Sequence, residues 1–274
     1  MPLHLASRVG DQPAESSVNA MKSPTPSPSP AAQNTSHHRL AVLSDIHGNT
    51  WALRAVLADV ERHHPDGFVL LGDLLADGPD PVGTLALLRT LPKATFVQGN
   101  TDRYLSDLTQ VVSPRAEMPD LVATWQWAVD QVGDDGCRFL AGLPADARIE
   151  TPAGHVLATH GIPGDDEGFV DPEKPDTWSG LQWHGARLLL LGHLHVPFVL
   201  ELDEGTVVNP GSVGIPTPTG GPASYALLAL YAGGRIAVQH VQVPWDIAGY
   251  VEAFDGGIPS NRKVAAMLEV LRNP

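Results

Sequence analysis

The sequence predicts an α/β protein in which two mixed β-sheets are flanked by helices within one domain. The chain has 274 residues, 43% of them hydrophobic, which is enough to form the core of one domain of ordinary size. The first half alternates short apolar runs with segments of helical periodicity, a pattern typical of parallel strands joined by right-handed crossovers. The second half has more strands separated by tight turns, which favours antiparallel pairing there.

The elements of the first half follow from their residues in order. Four apolar residues, 40–43, precede Ser44 and Asp45 and predict a buried strand with polar residues at its carboxyl end. Asp80 followed by Pro81 predicts a helix start, because aspartate caps the first turn and proline suits its first position. The predicted strands are residues 40–43, 68–71 and 94–98, and the predicted helices are residues 50–62, about 80–90 and much of 102–143.

The second half is predicted to consist mainly of paired strands and a closing helix. Short stretches rich in glycine, proline and aspartate separate its apolar segments, as expected for hairpin turns. The predicted elements are a hairpin over 148–160, a buried strand over 187–191, hairpins over 196–208 and 225–243, and a C-terminal helix over 261–272.

The segment 1–38 is predicted to be a disordered tail, and residues 39–274 form the predicted domain. Residues 21–30 are rich in proline and serine without apolar periodicity, so they cannot bury a core. The segment lacks the apolar stretch of a signal peptide, and no apolar run in the chain approaches the ~18 residues of a membrane span. We therefore expect a cytoplasmic protein without a membrane partner.

Charge and cysteine content exclude several classes of function. The 17 Lys and Arg residues against 31 Asp and Glu residues give a formal net charge of −14. So acidic a chain does not coat duplex nucleic acid by neutralising phosphates. The single cysteine, Cys137, excludes an intramolecular disulfide framework, a zinc site built on cysteines and an iron–sulfur cluster.

Seven polar residues lie at the carboxyl ends of predicted strands, where open α/β sheets hold their ligands. Imidazole, carboxylate and carboxamide groups together suit Mn²⁺, Fe or Zn²⁺ rather than Ca²⁺. Such a set can hold two metal ions about 3.5–4 Å apart, the arrangement used in two-metal phosphoryl chemistry. The seven are Asp45, His47, Asp73, Asn100, His160, His193 and His195.

In their order along the chain, these motifs resemble the signature of the calcineurin-like metallophosphoesterases. The resemblance runs from about residue 40 to 215 and comprises five short motifs, each containing one or two of the seven residues. The block from Ser44 to Asn49 and the segments 99–102 and 209–212 resemble the bacterial phosphodiesterase branch of the family. The resemblance implies a four-layer αββα sandwich with a dinuclear site where strand ends of both sheets meet.

The resemblance also implies a role for each residue. Asp45, His47 and His195 would hold one metal ion, and Asn100, His160 and His193 the other. Asp73 would bridge both ions, and a hydroxide shared between them would attack phosphorus. Asp73 and Asn100 thus belong to the catalytic group as well. Mn²⁺ is the expected metal, with Fe or Zn²⁺ as alternatives.

The residues that follow Asn100 leave open how the leaving group is protonated. Many members of the family have a histidine directly after this asparagine, whereas this chain has Thr101. A threonine is no general acid near neutral pH, so esters with good leaving groups are expected to react best. Asp102 either replaces the histidine or caps a helix over 103–108. Arg103 either clamps a phosphate oxygen or pairs with a nearby acid.

The expected function is metal-dependent hydrolysis of phosphoesters, most simply of phosphodiesters in small nucleotide-type substrates. The alternatives within the enzyme class are a phosphomonoesterase, including a protein phosphatase, and a hydrolase of diadenosine polyphosphates. A different alternative is a metal-free scaffold with the same fold, such as the retromer subunit of this family. A scaffold is expected to have lost ligands, whereas all seven positions of this chain carry competent ones.

Overall fold

The computed structural model describes residues 37–111, 115–215, 221–259 and 261–272. The first strand begins at His37, so the predicted tail lies outside the described residues except for its last two. The strands are β1 (His37–Leu43), β2 (Gly67–Leu70), β3 (Ala94–Phe96), β4 (Asp146–Thr151), β5 (Gly154–Thr159), β6 (Leu188–Leu190), β7 (Pro197–Glu201), β8 (Thr206–Pro210), β9 (Ala223–Tyr231) and β10 (Ile236–Val243). The α-helices are α1 (Thr50–Glu61), α2 (Pro81–Leu88), α3 (Asn100–Ser106), α4 (Pro119–Ala141), α5 (Ile247–Ala253) and α6 (Arg262–Arg272).

Two five-stranded mixed sheets confirm the predicted fold class. The first has the strand order β10-β9-β1-β2-β3, and the second has the order β4-β5-β6-β8-β7. Strands β1, β2 and β3 are parallel, as the alternation of strands and helices predicts. The predicted hairpins form antiparallel pairs in both sheets, while β5, β6 and β8 are parallel.

The sheets pack face to face through a common apolar core. Leu40 and Val42 of β1 lie in the same buried cluster as Val156 of β5 and Leu190 of β6. Alternate residues of β1, such as Leu43, turn to the opposite face and pack with the helices. Both faces of β1 are thus apolar, which explains why its sequence is a continuous hydrophobic run.

Helices cover the outer face of the first sheet. The side chains of Val56 in α1, Leu85 in α2, Tyr104 in α3 and Trp125 in α4 are buried in one cluster with that face. On the outer face of the second sheet, the covering layer is the connection 162–187, which contains one short 3-10 helix, Pro175–Thr177. In the described residues no helix has the length and apolar character needed to cross a membrane.

The helical segment predicted over 102–143 is divided in two. Helix α3 starts at Asn100, and α4 starts at Pro119 after a stretch of short 3-10 turns. Helix α5 was not predicted from the sequence. It is only seven residues long and is fixed by an Asp246 cap and by the burial of Tyr250.

Candidate metal centre

The seven side chains expected to bind metal converge where strand ends of both sheets meet. Those from the first sheet follow β1, β2 and β3, and those from the second follow β5 and β6. Asp45, His47 and His160 have no exposed surface, and Asp73, Asn100 and His195 are buried as well. Only His193 is partly exposed. The structure therefore brings all seven together and leaves one side of the cluster open.

One group of side chains surrounds Asp45. Its Oδ1 atom lies 3.1 Å from His195 Nε2 and 3.9 Å from His47 Nε2. The two imidazole Nε2 atoms are 3.3 Å apart. These three residues place their donor atoms within 4.8 Å of one another, a spacing that suits one metal ion.

A second group surrounds Asn100. Its Oδ1 atom lies 3.1 Å from His160 Nε2 and 3.2 Å from His193 Nδ1, and these two nitrogens are 3.3 Å apart. Asp45, Asp73 and His160 also place one donor atom each within 4.8 Å of one another. The second group thus has the composition that the sequence implies for the second ion.

Asp73 lies between the two groups and faces each with a different oxygen. Its Oδ1 atom is 3.4 Å from His160 Nε2, and its Oδ2 atom is 3.7 Å from His47 Nε2. A carboxylate can bridge two cations when each of its oxygens faces one of them, and Asp73 has this orientation.

Backbone carbonyls orient three of the imidazole rings. The Nδ1 atoms of His47, His160 and His195 lie 3.2, 2.6 and 3.0 Å from the carbonyl oxygens of Ala76, Leu71 and Ile215. A carbonyl can only accept, so each Nδ1 donates and each Nε2 lone pair faces the centre. Such contacts at the far ring nitrogen are typical of metal-binding histidines.

The Asp45 carboxylate supplies an independent test of whether the site fits a metal. Its Oδ1 atom is buried, and no hydrogen-bond donor among the described residues reaches it. A buried carboxylate oxygen without a partner is costly. The oxygen faces the lone-pair side of two imidazoles, so a cation satisfies all three groups at once. The residues present therefore fit a divalent metal ion.

The electrostatics of the cluster keep most of its groups in the form that binds metal. Burial raises the pKa of Asp73, but the His160 and His193 imidazoles outweigh it and lower that pKa. Burial, reinforced by the charge of Lys263, holds the pKa of His47 well below its usual value. Burial also lowers the pKa of His193. Carboxylates that are charged and imidazoles that are neutral are the ligand forms that metal ions require.

His160 behaves differently. Burial lowers its pKa, but the neighbouring Asp73 and Asp45 carboxylates raise it by more. In the metal-free protein a proton therefore competes with the metal for this imidazole. Acid is expected to weaken metal binding through this residue first.

Backbone strain is concentrated at the cluster. Five of the seven residues adopt positive φ angles between 50° and 64°. This left-handed conformation is uncommon outside glycine and is found where the surrounding structure fixes a functional geometry. The five are Asp45, His47, Asp73, His193 and His195.

Two motif glycines allow the loops after β2 and β3 to touch. A Cβ atom added to Gly72, which has a φ of +87°, would lie 2.4 Å from the Gly99 nitrogen. A Cβ atom added to Gly99 would lie 2.3 Å from both the nitrogen and Oδ1 of Asp73. The glycine before each ligand is therefore required by close backbone approach, which positions Asp73 beside Asn100.

The Asn209–Ser212 segment supports the site without facing it. The Asn209 amide donates to the Gly192 carbonyl at 2.6 Å, and the Ser212 hydroxyl donates to the Asp45 carbonyl at 2.8 Å. These bonds connect the end of β8 to the loops that carry the ligands.

Asp102 has a capping role in the structure. It is the third residue of α3, so the helix starts three residues earlier than the capping interpretation assumed. Its two carboxylate oxygens accept from the backbone N–H groups of Leu74, at 2.9 Å, and Gly99, at 3.0 Å. Burial and the neighbouring Asp73 raise its pKa to about 7. Both oxygens therefore accept from the backbone, in keeping with a capping role, and the role of Asp102 as a proton donor stays a prediction.

Arg103 pairs with acids rather than facing the cluster. Its guanidinium makes a two-bond contact with the Asp166 carboxylate, at 2.7 and 3.0 Å, and also lies 3.4 Å from Glu167 Oε1. Its carbon Cζ lies 4.5 Å from the centre of the Tyr104 ring. Arg103 thus forms the ion pair that the second interpretation expects, and its role as a phosphate clamp stays a prediction.

A cleft of about 290 Å³ opens from the exposed side of the cluster. Sequence reasoning missed the residues of its outer wall: Arg115, Met118, Asn261, Arg262 and Lys263. One signal was present in the sequence, because two adjacent cations open the predicted C-terminal helix, where the helix dipole disfavours positive charge. The remaining wall residues carry no local pattern that separates them from ordinary surface positions.

Comparison with protein families matches residues 39–233 to the calcineurin-like phosphoesterase superfamily domain. This segment contains all seven clustered side chains. The phosphodiesterase YfcE of Escherichia coli is 29% identical over 199 residues, which cover 69% of this chain and 86% of YfcE. The uncharacterised protein MJ0912 of Methanocaldococcus jannaschii is 26% identical over 232 residues, covering 76% of this chain and 88% of that protein.

Similarity to solved structures agrees with the fold. A metallophosphoesterase from Sphaerobacter thermophilus superposes with a TM-score of 0.67 at 24% identity, covering 86% of this chain and 100% of that one. The two proteins therefore share the two-sheet fold that the sequence of this chain predicts.

Proposed function

Because this chain belongs to the calcineurin-like phosphoesterase superfamily, we propose that it is a dinuclear metal-dependent phosphodiesterase acting on small nucleotide-type substrates. The observation that carries the proposal is the orientation of Asp73. Its two carboxylate oxygens face two separate groups of metal-binding side chains, at 3.4 Å from His160 and 3.7 Å from His47. A site for a single ion does not require a carboxylate whose two oxygens face two separate groups of ligands.

The proposal assigns Asp45, His47 and His195 to one ion and Asn100, His160 and His193 to the other. When bound, two divalent ions supply a nucleophile from water at neutral pH and neutralise the phosphoryl oxygens. The protein holds the ligand rings through backbone carbonyls and excludes solvent from all but one side. Substrate approaches from that side, through the cleft.

The choice of diesters rests on two observations. The motif blocks resemble the bacterial phosphodiesterase branch, and the YfcE relative is itself a phosphodiesterase. Two metal ions give the site local positive charge, which attracts a phosphate to a protein with a formal net charge of −14. Mn²⁺ in a cytoplasmic enzyme is the cofactor and location that we propose.

The structure offers no histidine at the position after Asn100 and occupies both Asp102 oxygens elsewhere. We therefore expect the leaving group to depart with little proton assistance. Diesters with aryl leaving groups should react much faster than those with alkyl leaving groups. Equal rates would point to another proton donor.

The first experiment measures hydrolysis of bis-p-nitrophenyl phosphate and p-nitrophenyl phosphate with and without Mn²⁺. We expect Mn²⁺-dependent turnover of the diester, and we expect Asp73→Asn to lower the rate by at least about 100-fold. Mutation of residues that only hydrogen-bond to metal ligands already lowers activity by about 10–100-fold. Asp176→Asn, at an exposed position of the 3-10 helix Pro175–Thr177, is the matched control and should retain activity.

Other outcomes decide against the proposal. Preference for p-nitrophenyl phosphate would favour the phosphomonoesterase alternative. Equal turnover in wild type and Asp73→Asn would remove the dinuclear mechanism. No turnover together with failure to bind Mn²⁺ in equilibrium dialysis would favour a scaffold.

A further inference from the structure

Three cationic residues line the outer wall of the cleft that begins at the metal centre. Arg115 belongs to the 3-10 helix Arg115–Glu117, and Arg262 and Lys263 form the first turn of α6. The same cleft is also lined by Asp73, Asn100 and His193. A ligand that occupies the cleft therefore touches both the metal centre and this cationic wall.

The charges on the wall are only partly neutralised. Arg115 forms an ion pair with Glu167. The same carboxylate also contacts the Arg103 guanidinium and accepts a hydrogen bond from the Tyr104 hydroxyl. Lys263 lies 3.9 Å from Asp77 Oδ2 and keeps about half of its side chain exposed, at 51%. Among the described residues, no carboxylate lies within ion-pair distance of the Arg262 guanidinium.

The position of Arg262 and Lys263 is unfavourable for the helix itself. The N-terminal end of a helix carries partial positive charge, so cations in the first turn cost stability. Asn261 precedes them as a cap, with its side-chain oxygen accepting from the Val264 N–H at 3.0 Å. The Asp120 carboxylate already lies at this turn, where its Oδ2 atom accepts from the Arg262 backbone N–H at 3.2 Å. An anion bound at the Arg262 and Lys263 side chains would offset the repulsion that remains. Arg262 and Lys263 therefore carry positive charge at a position that disfavours the helix but would favour binding of an anionic ligand.

Asp77 holds this turn against the metal centre. Its Oδ1 atom accepts from the Asn261 amide at 3.0 Å and from the Trp125 indole N–H at 3.1 Å. Its Oδ2 atom lies 3.9 Å from Lys263 Nζ and 4.0 Å from His47 Nδ1. A single carboxylate oxygen therefore separates the Lys263 ammonium from an imidazole of the metal centre.

Two further side chains that line the cleft indicate which groups of a ligand it can bind. The Thr101 hydroxyl lines the cleft and is buried, and it has no hydrogen-bond partner among the described residues. It is available to a polar group of a ligand. Met118, which is 38% exposed, provides an apolar surface beside the cations. The cleft thus combines a cationic wall, one free hydroxyl and a small apolar face.

We propose that Arg115, Arg262 and Lys263 form a binding subsite for a second phosphate group, so that the preferred substrate is a phosphodiester whose organic part carries an additional phosphate. The inference rests on the proposed function for the identity of the reacting group. The family match ends at residue 233, so Arg262 and Lys263 lie beyond the matched segment. The proposed subsite thus combines Arg115, which lies within the matched segment, with two residues that lie beyond it.

The experiment measures binding, independently of turnover, with adenosine 3′,5′-bisphosphate and adenosine 5′-monophosphate as probes. Isothermal titration calorimetry on the full chain with Mn²⁺ should show that the bisphosphate binds about tenfold more tightly, a difference of about 1.4 kcal/mol. The Arg262→Gln/Lys263→Gln double variant should lose most of this preference. Added salt should reduce it as well, because the cations are exposed.

Arg272→Gln is the matched control, since it removes a cation from the last turn of the same helix. It should leave the preference for the bisphosphate unchanged, and circular dichroism should show that both variants are folded. Equal preference in wild type and the double variant, or no preference in wild type, would overturn the subsite.

The two proposals fail in different ways. If bis-p-nitrophenyl phosphate is hydrolysed but the double variant keeps the preference, only the subsite falls. If the diester is not hydrolysed but the preference depends on Arg262 and Lys263, the subsite stands and the phosphodiesterase proposal falls.

Discussion

The side-chain amide of Asn261 donates a hydrogen bond of 3.0 Å to the carboxylate of Asp77, which lies 184 residues earlier in the chain. The same oxygen accepts from the Trp125 indole at 3.1 Å. Asp77 is buried and follows the loop that carries the bridging Asp73. One carboxylate thus connects α4 and the start of α6 to the metal centre.

Removing the Asp77 carboxylate should destabilise the protein. Asp77→Ala leaves two buried donors, on Trp125 and Asn261, without an acceptor, and each such loss costs about 1–3 kcal/mol. We expect urea unfolding to show that the free energy of unfolding of Asp77→Ala is lower than that of the wild type by about 2 kcal/mol or more. Asp77→Asn keeps one carbonyl oxygen and tolerates the positive φ of 73° at this position, so it should lose less than half as much.

The comparison of the two Asp77 variants is the control for this prediction. Equal losses in both would show that the hydrogen bonds at Oδ1 are not what stabilises this region.

The contact between Gly99 and Asp73 should be sensitive to a single methyl group. In Gly99→Ala the added Cβ meets Asp73 at 2.3 Å, so the bridging carboxylate must move. We expect at least about a tenfold fall in Mn²⁺-dependent hydrolysis and a stability loss of about 1–3 kcal/mol. Enzyme assay and thermal unfolding measure the two effects.

Gly256→Ala provides the matched control, because a Cβ atom there meets no atom within 4 Å. It should change stability by no more than about 0.5 kcal/mol. A Gly99→Ala variant as active as Gly256→Ala would contradict the role given to close backbone approach.

Metal binding should be visible as thermal stabilisation. A ligand that binds only the folded state raises the free energy of unfolding by about 2.7 kcal/mol when its concentration is 100 times its Kd. Titration with Mn²⁺ should therefore raise Tm, and a chelator should reverse the rise. His47→Asn should reduce the effect, because it removes an imidazole ligand of one ion while asparagine accepts the φ of 50° at this position.

His184→Asn is the control for the metal titration, since His184 is exposed and has a similar φ of 47°. It should respond to Mn²⁺ as the wild type does. Loss of the response in both variants would mean that the shift in Tm does not report on the proposed centre.

Glu167 should make stability depend on pH. Burial raises the pKa of this carboxyl, but hydrogen bonds from Tyr104 and Arg115 lower it below its ordinary value of 4.5. The charged form is thus favoured in the folded state, so its contribution is present above pH 4.5 and is lost as pH falls through the lowered pKa. Relative to Glu167→Gln, the wild type should be more stable by about 1 kcal/mol at pH 7.

The difference between wild type and Glu167→Gln should shrink when unfolding is measured below about pH 4. Glu173→Gln, at an exposed loop position, is the control for the substitution itself and should change the free energy of unfolding by no more than about 0.5 kcal/mol at pH 7. A Glu167→Gln difference that is constant with pH would exclude the ion pairs as its cause.

The fold and the cluster of seven polar residues could be predicted because both depend on local patterns. Apolar runs of four residues specify strands with two buried faces, and a polar residue at the carboxyl end of each run is visible in the sequence. Parallel strands bring their carboxyl ends to the same edge of a sheet, so residues as distant as Asp45 and Asn100 are expected to meet. Their role in holding metal stays a prediction.

The partners of Arg103 and the orientation of Asp102 could not be predicted in the same way. Arg103 contacts Asp166, 63 residues later, on a connection whose path no periodicity describes. Because α3 starts at Asn100, Asp102 is the third residue of the helix and not the residue that precedes it. Short helices such as α5 have too few residues for periodicity to identify them.

By itself the sequence determined the order of the elements, the two-sheet fold and the set of side chains at the strand ends, because each is encoded by residues close together in the chain. The tertiary structure alone decided what surrounds that set. Asp77 meets Asn261, and Lys263 comes to line the same cleft as Asp73, only after the chain has packed. The physical reason is that side-chain contacts between distant segments depend on how whole elements are oriented, which local patterns do not specify.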